Sequence, residues 1–333
     1  MVNELYKQLL VMAPIRVEFE ITEACNLKCL FCYNTLLPNY SPTSDAIALL
    51  DCLAKQGVLE IILTGGEPLF HPDFAIIARH AGNLFPTVLL QTNGTLLDDT
   101  LIAVLKEANF TGVNISVHGD ERVHDYLTGT PGSHRLAMRA VDILLASSLT
   151  AWVNTVLTVQ NFAILEHHLC ELKSRGVRNF TFTRFTPVGS GRDSSLNLAV
   201  PLLVDAIHTI ERFREANPEC SVLVANAVPR CILPPALKHY SEPCSYGLSR
   251  FYVNTKGDLM HCGMSRAVIG NLFENAICDI KANSSTFREL CLGDLMPDSC
   301  SLCGDVEKCR GGCRAAALAA TGTMNGSDPL TFS

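Results

Sequence analysis

Short runs rich in β-branched and aromatic residues alternate along this chain with longer stretches whose apolar residues recur every three or four positions, and the alternation repeats about six times. RVEFEIT (16–22), LEIILT (59–64), TVLLQTN (87–93), VNISVHG (113–119), AWVNTVLT (151–158) and NFTFTRF (179–185) read as strands. Helical patterns run from about Ser44 to Lys55, from Asp73, from Asp98, and near 134–147, 161–174 and 202–216. Acidic residues in the first turn favour the start at Asp98. The most apolar window, 140–159, contains Asp142 and Asn154 and breaks at a turn-like SSLT, so it reads as helix then strand. Right-handed βαβ units repeated in this way predict an α/β fold, a parallel barrel or partial (β/α)6 barrel with its helices outside. The C-terminal strand ends then share one rim, and TEACNLKC, TGGEP, QTNGT, SVHG, TVQN and TPVGSG all fall there. Beyond the last helix Pro218, Pro229, Pro234, Pro235 and Pro243 punctuate a loop-rich passage. The pattern divides the chain at about residue 240, with the barrel in 1–240 and a small loop-rich domain in 241–333.

Composition narrows the partners. The chain has 333 residues, 48% of them hydrophobic, enough for one large domain and an appendage. A net charge of -7 with no basic stripe argues against nucleic acid and leaves small molecules or peptides. The N-terminus lacks the basic start, apolar stretch and cleavage site of a secretory signal, so a cytoplasmic protein without a membrane segment is expected. Fifteen cysteines, an odd number, cannot all pair as disulfides. Their clustering favours metal.

Cys25, Cys29 and Cys32 form CxxxCxxC, with Phe31 before the last thiol. Three sulfurs suit a zinc knuckle that borrows a distant ligand, or three irons of a [4Fe-4S] cube whose fourth iron stays open. GGEP, Gly65 to Pro68, would by itself be a turn. Near the other end, Cys244, Gly257 and Cys262 precede CSLCGDVEKCRGGC, which places Cys300, Cys303, Cys309 and Cys313 at CxxCx5CxxxC. Zinc ribbons use similar pairs.

The three-cysteine motif, GGEP and the repeated βα pattern together resemble the radical S-adenosylmethionine (SAM) enzymes. That resemblance implies that Cys25, Cys29 and Cys32 hold a [4Fe-4S] cluster bound to SAM. Reductive cleavage then gives a 5'-deoxyadenosyl radical that abstracts hydrogen from a substrate carbon. It also implies that the Phe31 backbone touches the adenine and that Gly65, Gly66, Glu67 and Pro68 line the methionine amino group. Thr92, Asn93, Ser116, Asn154 and Val188 would complete the pocket. His118 departs from the acidic residue of many relatives, and His124 in HDYLTG either bears on substrate or holds its loop. The C-terminal cysteines are similar to the SPASM extension, which implies one or two auxiliary iron-sulfur clusters. Cys300, Cys303 and Cys309 begin one, and Cys313 crosses back to Cys244 and Cys262 at the other.

The match has two gaps. Thr331 stands where the family pattern has its last cysteine, and no cysteine lies between Cys244 and Gly257. Water, the Asp328 carboxylate or substrate is then expected at the vacant iron position. The inner cluster then keeps an open iron or recruits another side chain, and Cys231, between prolines in VPRCILPP, is a candidate for that auxiliary ligand, a hydrogen-atom donor in catalysis, or a packed loop thiol. Cys52, Cys170, Cys220, Cys278 and Cys291 lack metal-like spacing and read as structural. The resemblance implies a maturase acting on a ribosomally made peptide, through a thioether, a carbon-carbon crosslink or epimerisation. Tetrapyrrole, haem or other cofactor side-chain processing is the alternative, since GGCRAAALAATGT resembles haem-processing relatives. A non-catalytic metal-binding scaffold is a third reading. An electron donor such as flavodoxin or ferredoxin is implied. Only 24 residues precede Cys25, so a separate leader-binding protein is expected.

Overall fold

The computed structural model describes residues 14–192, 194–285, 287–288 and 297–331. Its first half follows the predicted alternation. β1 (Arg16–Thr22), α1 (Thr43–Lys55), β2 (Glu60–Gly65), α2 (Phe74–Leu84), β3 (Thr87–Thr92) and α3 (Asp99–Glu107) come first. β4 (Gly112–Ser116), α4 (Glu121–Thr128), α5 (Ser133–Leu145), β5 (Thr150–Leu157), α6 (Val159–Phe162), α7 (Leu165–Arg175) and β6 (Asn179–Arg184) follow. After α8 (Val200–Ala216) a seventh strand, β7 (Ser221–Ala225), extends the parallel series. Then come β8 (Arg250–Val253), β9 (Asp258–Met260), β10 (Val268–Asn271), α9 (Ile277–Asn283), α10 (Val306–Cys309) and α11 (Arg314–Thr321).

Among the described residues the ten strands belong to one sheet in the order β10-β9-β8-β1-β2-β3-β4-β5-β6-β7. The sheet does not close, so the barrel is partial, with β7 and β10 at its edges. β8 pairs in parallel with β1, and β9 and β10 continue antiparallel. The chain beyond residue 240 therefore adds three strands to the barrel's own sheet, which the loop-rich texture did not predict. Four residues of RFYV and three of DLM are too short to show a period.

The alternation on β1 explains the layering. Val17, Phe19 and Ile21 are fully buried, in the same apolar core as Leu49, Leu50 and Leu53 of α1. Glu18, Glu20 and Thr22 take the other face, as period 2 requires. Side chains on the inner faces of the strands leave a lumen of about 490 Å³, lined by polar groups and by apolar residues such as Ile62, Leu89 and Trp152. Helix starts are fixed locally: Asp98 accepts from the Leu101 amide (2.9 Å) and Asp120 from that of Val123 (2.8 Å). Register brings the strand tips level, pairing Thr22 with Gly65 and Ser116 with Asn154.

Candidate active site

The loop that follows β1 carries Cys25, Cys29 and Cys32 and is clasped from three sides. From β2, the Gly66 amide donates to the Thr22 carbonyl (2.7 Å) and the Glu67 amide to that of Ala24 (2.8 Å). From the end of α4, the Thr128 and Leu127 carbonyls accept from the amides of Lys28 (3.1 Å) and Leu30 (2.8 Å). From the loop after β6, the Gly191 amide donates to the Cys32 carbonyl (2.7 Å). The two glycines of GGEP are required by this approach: a Cβ would lie 2.2 Å from the Thr22 carbonyl oxygen at Gly65 and 2.3 Å from that of Ala24 at Gly66.

A pocket of about 170 Å³ opens at the rim above these glycines. The three cysteines line it, with Phe31, Gly65 and Gly66 beside them. Thr92, Asn93, Ser116 and Asn154 supply its polar wall. Glu67 and Pro68 lie buried behind it. The Glu67 carboxylate accepts from the Thr92 hydroxyl (2.7 Å) and from the amides of Asn93 (2.7 Å) and Leu69 (3.0 Å), binding the tips of β2 and β3 together. Burial pushes its carboxyl up to about 7. Val188 does not line the pocket, whereas its neighbours Phe185 and Thr186 do. Sequence reasoning missed Tyr33, Gln91, Asn226 and Met264, which also line it. Met264 arrives from the far end of the chain, and no strand-end pattern announces it.

Burial, then the proximity of Glu67 and Cys32, pushes the Cys25 thiol up to about 11. Burial also drives Cys29 well up, and Cys32 is raised by the same cause. Among the described residues, no three His, Cys, Asp or Glu side chains gather closely enough to hold a single metal ion. Three thiols on one short loop, lining one pocket, fit an iron cluster whose positive charge favours the thiolate at each.

Histidines form the wall behind Phe31, whose ring meets His118 edge-on at 4.5 Å. The Val156 amide donates to His118 Nδ1 (3.2 Å) and the His118 amide to His124 Nδ1 (3.1 Å), which leaves the ring proton of each on Nε2. Burial drives His118 far below the usual imidazole range and His124 down to about 3. Both are therefore neutral donors, and buried His124 Nε2 has no hydrogen-bond partner among the described residues. The HDYLTG segment also holds the cysteine loop through its Leu127 and Thr128 carbonyls.

Two further groups of thiols lie toward the C-terminus. Cys244, Cys262 and Cys313 pack together with Ala227, Ala315 and Ala316, and they border a cavity of about 360 Å³. Burial, reinforced by Cys313, pushes Cys244 up to about 11. Cys300, Cys303 and Cys309 border a separate space of about 30 Å³ that Cys231 and Thr331 also line. The Asp328 carboxylate does not fit its expected role at a vacant iron. It is fully buried, pairs bidentately with Arg184 (2.7 and 2.8 Å), and accepts from the amides of Cys313 (2.8 Å) and Leu330 (3.0 Å). Of the remaining cysteines, Cys220 is buried, Cys170 and Cys278 are exposed, and Cys52 accepts from Gln56. Cys291 lies outside the described residues.

Residues 19–169 match the Radical SAM superfamily. The chain is 27% identical to an AdoMet-dependent heme synthase of Methanosarcina barkeri, covering 95% of this chain and 96% of the relative. It is 28% identical to mycofactocin maturase MftC of Mycobacterium tuberculosis, over 95% of this chain and 82% of that one. Among solved structures, SuiB of Streptococcus suis bound to precursor peptide SuiA superposes with a TM-score of 0.79 at 16% identity, covering 98% of this chain and 78% of SuiB.

Proposed function

Because this chain is a radical SAM enzyme with a SPASM-type cysteine region, we propose that it matures a ribosomally made peptide by abstracting hydrogen from one of its carbons. The product is a thioether, a carbon-carbon crosslink or an epimerised residue. Cys25, Cys29 and Cys32 would hold the [4Fe-4S] cluster, and Gly65 and Gly66 would border S-adenosylmethionine. When bound, the cluster supplies the electron that cleaves the sulfonium bond to methionine and a 5'-deoxyadenosyl radical. The chain's own residues orient and enclose. The Phe31 backbone would border the adenine, while Thr92, Asn93, Ser116 and Asn154, which line the same pocket, would offer hydrogen bonds. Glu67 and Pro68 fix the GGEP turn, and Val188 acts through the loop that clasps Cys32. Residues 1–240 carry the βα series of the barrel and 241–333 the extension, which adds β8, β9 and β10 to the same sheet and whose two groups of cysteines hold auxiliary clusters.

The observation that carries the peptide reading is the lining of the lumen. Gln91, Asn114, Asn154, Thr181, Thr183 and Asn226 present amides and hydroxyls suited to peptide groups, and the buried Asn114 Oδ1 has no partner among the described residues. Its arginines are already paired, Arg16 with Glu60 (2.6 Å) and Arg250 with Glu18 (3.6 Å). A tetrapyrrole bearing several carboxylates calls for open cations. The near full-length likeness to the heme synthase favours that second reading. In the peptide reading a flavodoxin or ferredoxin supplies electrons and a separate protein presents the leader. A cytoplasmic setting accords with the described residues, among which no helix is long and apolar enough to cross a membrane.

Anaerobic incubation of the reconstituted protein with S-adenosylmethionine and reductant should release 5'-deoxyadenosine. Alanine at Cys25, Cys29 or Cys32 should abolish that release while auxiliary iron remains, and full activity in Cys29→Ala would sink the assignment. A mass change in a short peptide encoded beside the gene supports the peptide reading. Modification of a propionate-bearing tetrapyrrole instead supports the second.

A further inference from the structure

We propose that Cys231 is the fourth thiolate of the outer auxiliary cluster, closing a set with Cys300, Cys303 and Cys309 where Thr331 offers no sulfur. The assignment rests on the cluster reading above and goes beyond it by naming a ligand from a segment far from the CxxCx5C run. Four thiols and Thr331 line one small space, although Cys231 lies 69 residues before Cys300.

The segment around Cys231 is pinned to the cluster loop on both sides of the thiol. The Arg230 amide donates to Cys309 Sγ at 3.3 Å. Asp305, inside CSLCGDVEKC, pairs with Arg230 (3.3 Å) and with Lys238 (2.9 Å). The short turn Arg230–Ile232 also packs against the turn Pro329–Thr331, so Cys231 and Thr331 approach the same space from opposite strands of chain.

The competing oxygen ligands are engaged elsewhere. The Thr331 hydroxyl donates to the Asp328 carbonyl at 2.7 Å. The Asp328 carboxylate is held by Arg184 and by the Cys313 and Leu330 amides. A thiolate is also the stronger iron ligand. Formation of the bond is a ligand exchange without change of oxidation state: the Cys231 S–H loses its proton to solvent as its sulfur displaces a water ligand from iron. The inner group, Cys244, Cys262 and Cys313, keeps three thiolates.

The test uses the full chain with Cys25, Cys29 and Cys32 replaced by alanine, so that only auxiliary iron is counted. Adding Cys231→Ala should lower iron content, speed iron release to a chelator several-fold, and on mild oxidation produce the paramagnetic signal of a three-iron cluster. Adding Thr331→Cys to Cys231→Ala should restore iron and slow release, which a general folding defect would not allow. Cys278→Ala, in an exposed position on α9, is the matched control and should change neither. If Cys231→Ala leaves iron content, release rate and spectrum unchanged while the parent holds auxiliary iron and sulfide, the assignment is overturned and the cluster reading stands. A parent devoid of auxiliary iron and sulfide overturns both.

Discussion

His118, His124 and His168 are each buried and held neutral, and their titration gives the site an acid sensitivity. Burial brings His124 down to about 3 and His168 to about 4, and puts His118 lower than the usual range. An unfolded chain takes up protons at all three near the ordinary imidazole value of 6.5, whereas the folded chain does not until far lower pH. The unfolded state thus binds more protons between 6.5 and about 4, so stability is full above 6.5 and falls as pH drops through that window. Each histidine contributes a slope of up to about 1.4 kcal/mol per pH unit. Glu67 opposes this, since its raised value of about 7 lets the folded chain keep a proton that the unfolded chain releases. His168→Gln should therefore make the pH dependence of anaerobic urea unfolding shallower by close to one proton. An unchanged slope would mean that His168 is charged in the fold.

The strand-end turns are the elements that decide whether the cysteine loop has a place to sit. Gly65 and Gly66 allow backbone contact with the β1 loop that any Cβ would break, because the atoms met are carbonyl oxygens of another segment rather than a movable side chain. Gly66→Ala is expected to cost about 1–3 kcal/mol and to lower iron bound at the three-cysteine site. Gly304, between Cys303 and Asp305, has nothing within 4 Å of an added Cβ. Gly304→Ala should stay within about 0.5 kcal/mol of the parent. Thermal melts and iron assays of both variants check the contrast, and equal losses would show that backbone approach at GGEP is not the controlling feature.

At the scale of the whole molecule, the C-terminal chain is built into the barrel rather than set beside it. β8 extends the sheet from β1, and Arg266 reaches Glu20 (3.1 Å) and Glu23 (3.2 Å) on the site side. At the opposite flank Arg184 at the end of β6 pairs with Asp328, both almost fully buried. Removing one partner of a buried pair leaves the other charge uncompensated. Asp328→Asn should cost about 3–5 kcal/mol and, because one acceptor oxygen is left for the Cys313 and Leu330 amides that now use two, make auxiliary iron more labile to chelators. Replacing both residues together by Arg184→Met and Asp328→Leu should recover part of the stability, and a double variant as unstable as Asp328→Asn would contradict this account.

The sequence by itself determined the parallel βα series, the rim on which its motifs meet, and the candidate thiols at both ends of the chain. Those features are written in local periodicity and in spacing, which a linear pattern preserves. It could not show that Glu67 turns away from the pocket to join two strand tips, because GGEP reads alike whether its carboxylate faces a ligand or the core. Nor could it show β8 against β1, Met264 in the rim pocket, or Cys231 beside Cys300, Cys303 and Cys309. Only tertiary structure decided these. Each joins segments far apart along the chain, held by sheet pairing, buried ion pairs and backbone clasps that leave no periodic trace in sequence.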